Sequence, residues 1–299
     1  MEIPAWPAMR SLEFSDKPHL DRLFAQLQPR VSELTFAGLY LFRAAHEYGL
    51  SVIGDSLVVR GRGYDGGRYC LPPLGGDATS AADLLLREGY ELYGLDEAAV
   101  VRFQADPACT VVEDRDGADY LYLREELATL PGNRFHKKKN RINYFTARHD
   151  FTVHLFSPCH LCGCLQLLDQ WGRVAEMEGN RSFQMEMDAT VEALSRAAEL
   201  ELEGVVVAVA GAVRAFAVGE RLNRETAVCH FEKADHFMEG LSQLVNREFA
   251  RLLFNDCRYI NREQDLGEPG LRNAKLSYHP VELVKKIRVR GSRENDCAR

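Results

Sequence analysis

The stretch Val205-Val206-Val207-Ala208-Val209-Ala210-Gly211-Ala212-Val213 decides how this chain is read. Its β-branched run is far too short to cross a bilayer and carries no helical period, so Val205–Val209 is a buried strand. Ala210-Gly211-Ala212 supplies a turn, and Val213–Leu222 alternates as the hairpin partner. Asn223-Arg224-Glu225 breaks the pattern, and Thr226–Phe231 makes a third strand.

Working outward, helices flank this meander. Leu165, Leu168, Trp171 and Val174, three apart, predict a helix over Gly163–Met177. Met187, Val191, Leu194 and Ala198 predict another from about Gln184 to Leu200. Downstream, Leu241, Leu244, Val245, Phe249, Leu252 and Leu253 form the wide apolar face of a helix over Met238–Phe254. A strand over Arg258–Asp265, a turn at Gly267-Glu268-Pro269-Gly270, a helix from Leu271 and a strand near Lys286–Val289 complete the half. The first half repeats this grammar loosely. Helices are expected over Leu20–Leu27, Leu34–Glu47 and Ala81–Glu88, strands over Ser51–Arg60 and Arg68–Leu71, and extended pieces at Cys109–Glu113 and Tyr120–Leu123. Asp150–Leu155 alternates like a strand between the halves. The fold class is therefore α/β, an α+β mixed sheet with helices on its faces, in two tandem lobes divided at 1–155 and 156–299.

Composition narrows the function classes. The 299 residues are 46% hydrophobic and carry a net charge of −7, which suits a globular enzyme and gives no overall attraction to nucleic acid or anionic lipid. The amino terminus has no basic segment followed by an apolar core, so a cytoplasmic, soluble protein with no membrane span is expected. No phosphate-loop, Rossmann-glycine or Gly-x-Ser-x-Gly signature occurs. Eight cysteines run from Cys70 to Cys297. Cys159-His160-Leu161-Cys162-Gly163-Cys164 has soft-metal ligands, but no second ligand pair follows, so no metal is expected and a thiol-rich loop is the plainer reading.

Two polar segments can carry chemistry. In a strand over Arg258–Asp265, Asn261, Glu263 and Asp265 share one face, with Arg262 and Gln264 on the other. Two carboxylates and an amide at a strand end can grip an ammonium or take a proton from an amine. Beyond the turn, Arg272, Lys275 and His279 lie at helical spacing, with Ser277 and Tyr278 nearby and Pro280 closing the helix, as an anion site would need. The alternative is that Asp265 and Arg272 form a salt bridge fixing the turn. The second segment, Asn133–Phe145, holds Arg134, His136, Lys137, Lys138, Lys139 and Arg141 among Phe135, Tyr144 and Phe145. It is either a phosphate or RNA-backbone contact or a solvated amphipathic helix with Phe135, Ile142 and Phe145 buried.

On Tyr120-Leu121-Tyr122, Leu130-Pro131-Gly132, Phe135–Asn140, Asn261–Gly267 and Gly270–Pro280, the chain resembles a bacterial family similar to the C-terminal domain of phosphatidylglycerol lysyltransferases. The resemblance implies two GNAT-like (acyl-CoA N-acyltransferase) folds and kinship with enzymes that take an aminoacyl group from charged tRNA. Lysyltransferases of this kind usually carry an N-terminal multi-span membrane region, and no segment here reads as one. Acetyl-CoA-using relatives carry a glycine-rich pyrophosphate loop where this chain has Glu232–Gly240 with a single glycine, which favours an aminoacyl-tRNA over an acyl-CoA donor. The expected activity is aminoacyl transfer from charged tRNA to an acceptor such as a lipid head group, peptide or small amine, with no bound cofactor. The alternatives are an acyl-CoA-dependent N-acyltransferase and a non-catalytic ligand sensor. In the transferase, Asp265 and Glu263 would hold or deprotonate an amine and Asn261 would line their face. Arg272, Lys275 and His279 would meet phosphate or oxyanion, and Tyr278 would donate a proton. Lys137, Lys138, Lys139 and Arg141 would contact tRNA.

Overall fold

Glycine and turn residues cut the first part of the chain into short strands joined by short helices, and the computed structural model shows them gathered into the first of two units. It describes residues 2–63, 66–178 and 181–291, and their side chains except those of 172–182. Val174 of the expected stripe and Cys297 lie outside these limits. Unit 1 comprises 1–119, 264–267 and 284–299; unit 2 comprises 120–263 and 268–283.

Unit 1 contains β1 (Arg10–Ser11), α1 (Lys17–Leu27), α2 (Phe36–Leu41), β2 (Gly49–Ile53), β3 (Ser56–Arg62), β4 (Arg68–Cys70), α3 (Ala78–Arg87), β5 (Glu91–Leu95), α4 (Glu97–Gln104) and the first part of β6 (Cys109–Leu123). The Ser51–Arg60 stretch is two strands, because Gly54 at φ 58 turns the chain and pairs Ile53 with Ser56. The Leu34–Glu47 helix stops at Leu41 and gives way to turns. The extended pieces at 109–113 and 120–123 are one strand. Asp77 and Asp96 cap α3 and α4 by accepting from the Ser80 and Ala99 amides, which satisfies donors that the first turn leaves open. With β12 (Glu282–Gly291) included, the strand order is β1-β2-β3-β4-β5-β12-β6, with β4 and β5 parallel. Val58, Leu85, Leu92, Phe103 and Val289 meet in its core.

Unit 2 contains α5 (Arg124–Thr129), α6 (His136–Thr146), β7 (Phe151–Leu155), α7 (Leu161–Glu178), α8 (Arg181–Ser195), β8 (Glu203–Val209), β9 (Ala212–Arg221), β10 (Thr226–Ala234), α9 (Leu241–Leu252), β11 (Tyr259–Asn261) and α10 (Pro269–Leu276). β12 (Glu282–Gly291) follows. The valine run pairs with its hairpin partner as predicted, Val205 opposite Ala217 and Val207 opposite Ala215. The order is β6-β11-β10-β9-β8-β7, with β10 and β11 parallel and the other pairs antiparallel. Leu241, Leu244, Val245 and Phe249 of α9 bury against Val205, Val207, Ala215 and Ala217. Each large side chain sequestered there stabilises the unit by roughly 1.5–3 kcal/mol. Both units are thus mixed sheets with helices, the α/β class expected. No helix among the described residues is long and apolar enough to cross a membrane.

Candidate active site

The Arg258–Asp265 strand ends early. Only Tyr259–Asn261 pairs, because Glu263 enters the left-handed region at φ 55, so strand alternation does not apply beyond Asn261. The buried Asn261 side chain accepts from the Glu263 amide at 2.7 Å, which shapes this bend. As a result Glu263 and Asp265 do not share a face. Glu263 takes the Nδ1 side of His230 at 2.7 Å, while Glu220 takes the Nε2 side at 2.9 Å. Burial works against charge on this imidazole, but the hydrogen bonds to Glu220 and Glu263 prevail and raise its pKa to about 10. Asp265 lies in unit 1 at 0% exposure, where it accepts from the Gly267 amide at 2.9 Å and bridges to Arg115 at 3.3 Å.

The helix expected to end at Pro280 closes at Leu276, so His279 falls outside it, with φ 56 and Nε2 3.3 Å from the Arg134 carbonyl. Lys275 is 8% exposed and donates to the carbonyls of Arg262 and Glu263 at 2.6 and 3.1 Å. Its charge steadies the bend in place of facing solvent. Arg272 is half-buried on α10.

The groups that do converge belong to α6, β10, the 262 bend and the end of α10, all in unit 2. Phe135, Ile142 and Phe145 are buried and anchor α6, which leaves Lys137 and Arg141 exposed and Lys138 and Lys139 half-buried. The Lys138 ammonium sits 4.0 Å from the centre of the Tyr278 ring and donates to the Ser277 hydroxyl at 2.6 Å. Burial, helped by Arg262 and Arg141 and opposed by Glu232, lowers its pKa to about 8. The Arg262 guanidinium lies 5.1 Å from the Tyr278 ring and donates to Glu232 at 3.0 Å. Burial works against the charge of Arg262, but Glu232 together with Tyr122, Tyr278 and Cys229 outweighs it and holds the guanidinium charged. Asn246 of α9 donates to the same Glu232 oxygen at 3.0 Å. Burial pushes the Tyr278 hydroxyl pKa well up, against the pull of Arg262, so the phenol stays protonated.

One lysine near neutrality, one permanent cation and one protonated phenol, collected on an aromatic wall, can stabilise a developing oxyanion and deliver a proton to a leaving oxygen. Sequence reading picked out Lys138 and Tyr278 separately and set Arg262 on the face away from the expected carboxylates. Glu232, Asn246 and the His230 clamp were missed, because their contacts join residues far apart along the chain and leave no local pattern.

Cys159 and Cys162 are exposed, and Cys164 is buried with its thiol pushed up to about 12. Among the described residues no group of three or more His, Cys, Asp or Glu is placed to hold a metal.

Residues 24–290 match the family "Phosphatidylglycerol lysyltransferase, C-terminal", and the chain belongs to it. A conserved protein of unknown function from Bacteroides thetaiotaomicron is 30% identical, with a TM-score of 0.86 over 94% of this chain and 98% of that one. L-PGS from Bacillus licheniformis has a similar fold at 15% identity, with a TM-score of 0.61 over 99% of this chain and 96% of that one. An uncharacterized protein of Mycoplasmoides gallisepticum is 22% identical over 176 residues, 58% of this chain. The chain spans 56% of the length of that curated relative.

Proposed function

We propose that this member of the lysyltransferase C-terminal family moves an aminoacyl group from charged tRNA to a nucleophilic acceptor, using the Lys138–Arg262–Tyr278 wall of unit 2. The observation that carries the reading is the half-buried Lys138 ammonium seated on Tyr278 beside Arg262. Arg262 and Lys138 would face the ester carbonyl and stabilise the oxyanion formed when the acceptor attacks. The bond between the carbonyl carbon and the ribose oxygen then breaks. Lys138 gives that oxygen a proton and recovers one from the acceptor, so the aminoacyl–acceptor bond forms with no net change in the enzyme. A pKa near 8 keeps Lys138 protonated at pH 7 yet a better acid than an ordinary lysine. Tyr278, held protonated, is a second donor beside it. The exposed cations Lys137 and Arg141 on the same helix suit the phosphates of the donor.

Family membership and the single glycine of the 232–240 turn favour an aminoacyl ester over an acyl-CoA thioester. The test is transfer of label from a mixed pool of radiolabelled aminoacyl-tRNAs into cell extract. Label should reach a lipid, peptide or small-amine fraction with the wild type and fall at least a hundredfold, on the order of one lost transition-state donor, with Arg262→Gln. No transfer, under conditions where a known transferase works, would overturn the proposal.

A further inference from the structure

The turn between β10 and α9 shows an aromatic side chain to solvent although it is fastened at several points. Asp235 is buried and bridges to Arg214 at 3.2 Å, and its side chain accepts from the Phe237 amide at 3.0 Å. The Met238 amide donates to the Asp235 carbonyl at 3.1 Å. Trp171 donates to the Ala234 carbonyl at 3.1 Å and meets the His236 ring edge-on at 5.9 Å. Gly240, at φ 92, lies so close to α6 that a Cβ there would collide with the Arg141 carbonyl. Despite these anchors, Phe237 is 86% exposed, with the His236 ring 4.0 Å away. A phenylalanine left in water forgoes the stabilisation that burial would bring. A turn held this firmly cannot tuck it in.

The neighbouring surface of α6 is basic and aromatic. Lys137, Arg141 and Arg148 are exposed, and the Arg148 guanidinium stacks over Tyr144 at 3.6 Å. Rings interleaved with cations are what an unpaired nucleic-acid strand needs, since every base offers a flat face and every link a phosphate. A membrane is a poorer fit, because one exposed phenylalanine gives little apolar area to insert.

We infer that His236 and Phe237 form a stacking platform for the single-stranded 3′ end of an RNA, with Arg141 and Lys137 on its backbone. The idea rests on the transferase reading for which RNA binds, but binding is measurable without transfer. Gly240, three residues beyond Phe237, packs against the Arg141 carbonyl, and Arg141 is one turn along α6 from Lys138, so a base stacked on this turn would have its ribose end within reach of the reacting groups.

The probe is a fluorescein-labelled RNA hairpin with a four-nucleotide ACCA 3′ overhang, beside the same hairpin with a blunt end, read by anisotropy. The wild type should prefer the overhang about tenfold, Phe237→Ala should erase that preference, and Phe237→Trp should restore it. Blunt-hairpin affinity should stay unchanged in all three proteins. Equal binding of the two hairpins by the wild type, or an overhang preference that survives Phe237→Ala, would overturn the platform. So would loss of binding to anionic phospholipid vesicles in Phe237→Ala while RNA binding persists. A platform confirmed by anisotropy together with failed aminoacyl transfer would reject only the enzymatic reading. Active transfer with no overhang preference would reject only the platform.

Discussion

Replacing Lys138 with Met should make the fold more stable while removing transfer. The ammonium is driven down from 10.5 to about 8, first by burial and then by Arg262 and Arg141. That displacement is equivalent to roughly 3 kcal/mol against the charged form. The side chain is only half-buried, and water screens a large part of the penalty. The contacts with Tyr278 and Ser277 are also lost on substitution. We therefore expect a gain of about 1 kcal/mol for Lys138→Met at pH 7. A lysine whose folded pKa lies below its unfolded value leaves the folded state with fewer bound protons between those values. Wild-type stability then rises with pH from about 8 to 10.5, and the advantage of Lys138→Met should vanish across that window. Urea denaturation of both proteins at pH 7, 8.5 and 10, followed by far-UV circular dichroism, measures this difference directly. A variant less stable than wild type at pH 7, or an advantage that does not change with pH, would refute the desolvated-ammonium argument.

Lys286, at 0% exposure in unit 1, lies 2.7 Å from Asp119 and 2.6 Å from Glu33, and Asp119 is also fully buried. Lys286→Met strands both carboxylates and should cost about 3–5 kcal/mol, whereas a urea-measured loss below about 1 kcal/mol would contradict it. His230 should remain an imidazolium at pH 8 by NMR, because a folded pKa raised to about 10 means its stabilisation is complete below 6.5 and is lost only as pH climbs toward 10. A neutral ring at pH 8 would refute the Glu220–Glu263 clamp. Asp265→Ala should lower stability by about 2 kcal/mol, since it removes a buried carboxylate that pairs with Arg115 and accepts from the Gly267 amide. An unchanged melting temperature with abolished transfer would instead return Asp265 to the chemistry.

Regular periodicity determined much of this protein in advance. The valine run and its partner and the α9 stripe formed where local pattern placed them, and the segment carrying Lys137 to Arg141 took the amphipathic-helix form that was one of its two readings, because each buries one face whatever its neighbours are. The candidate chemistry was legible in pieces, Lys138 on one segment and Tyr278 on another, but their meeting was not. Alternation also misplaced Glu263 and Asp265. It assumes continued strand geometry, and the left-handed turn at Glu263 ended that geometry in favour of Asn261 and Lys275 contacts made across the chain. Only tertiary structure decided that Glu263 would hold His230 and that Asp265 would be buried against Arg115. The same holds for the return of 264–267 and 284–291 to unit 1. Backbone periodicity is set by neighbours in sequence. The charge of Lys138, and the partners of Glu232 and Arg262, depend on desolvation and Coulomb terms between residues far apart along the chain, which exist only once the chain has folded.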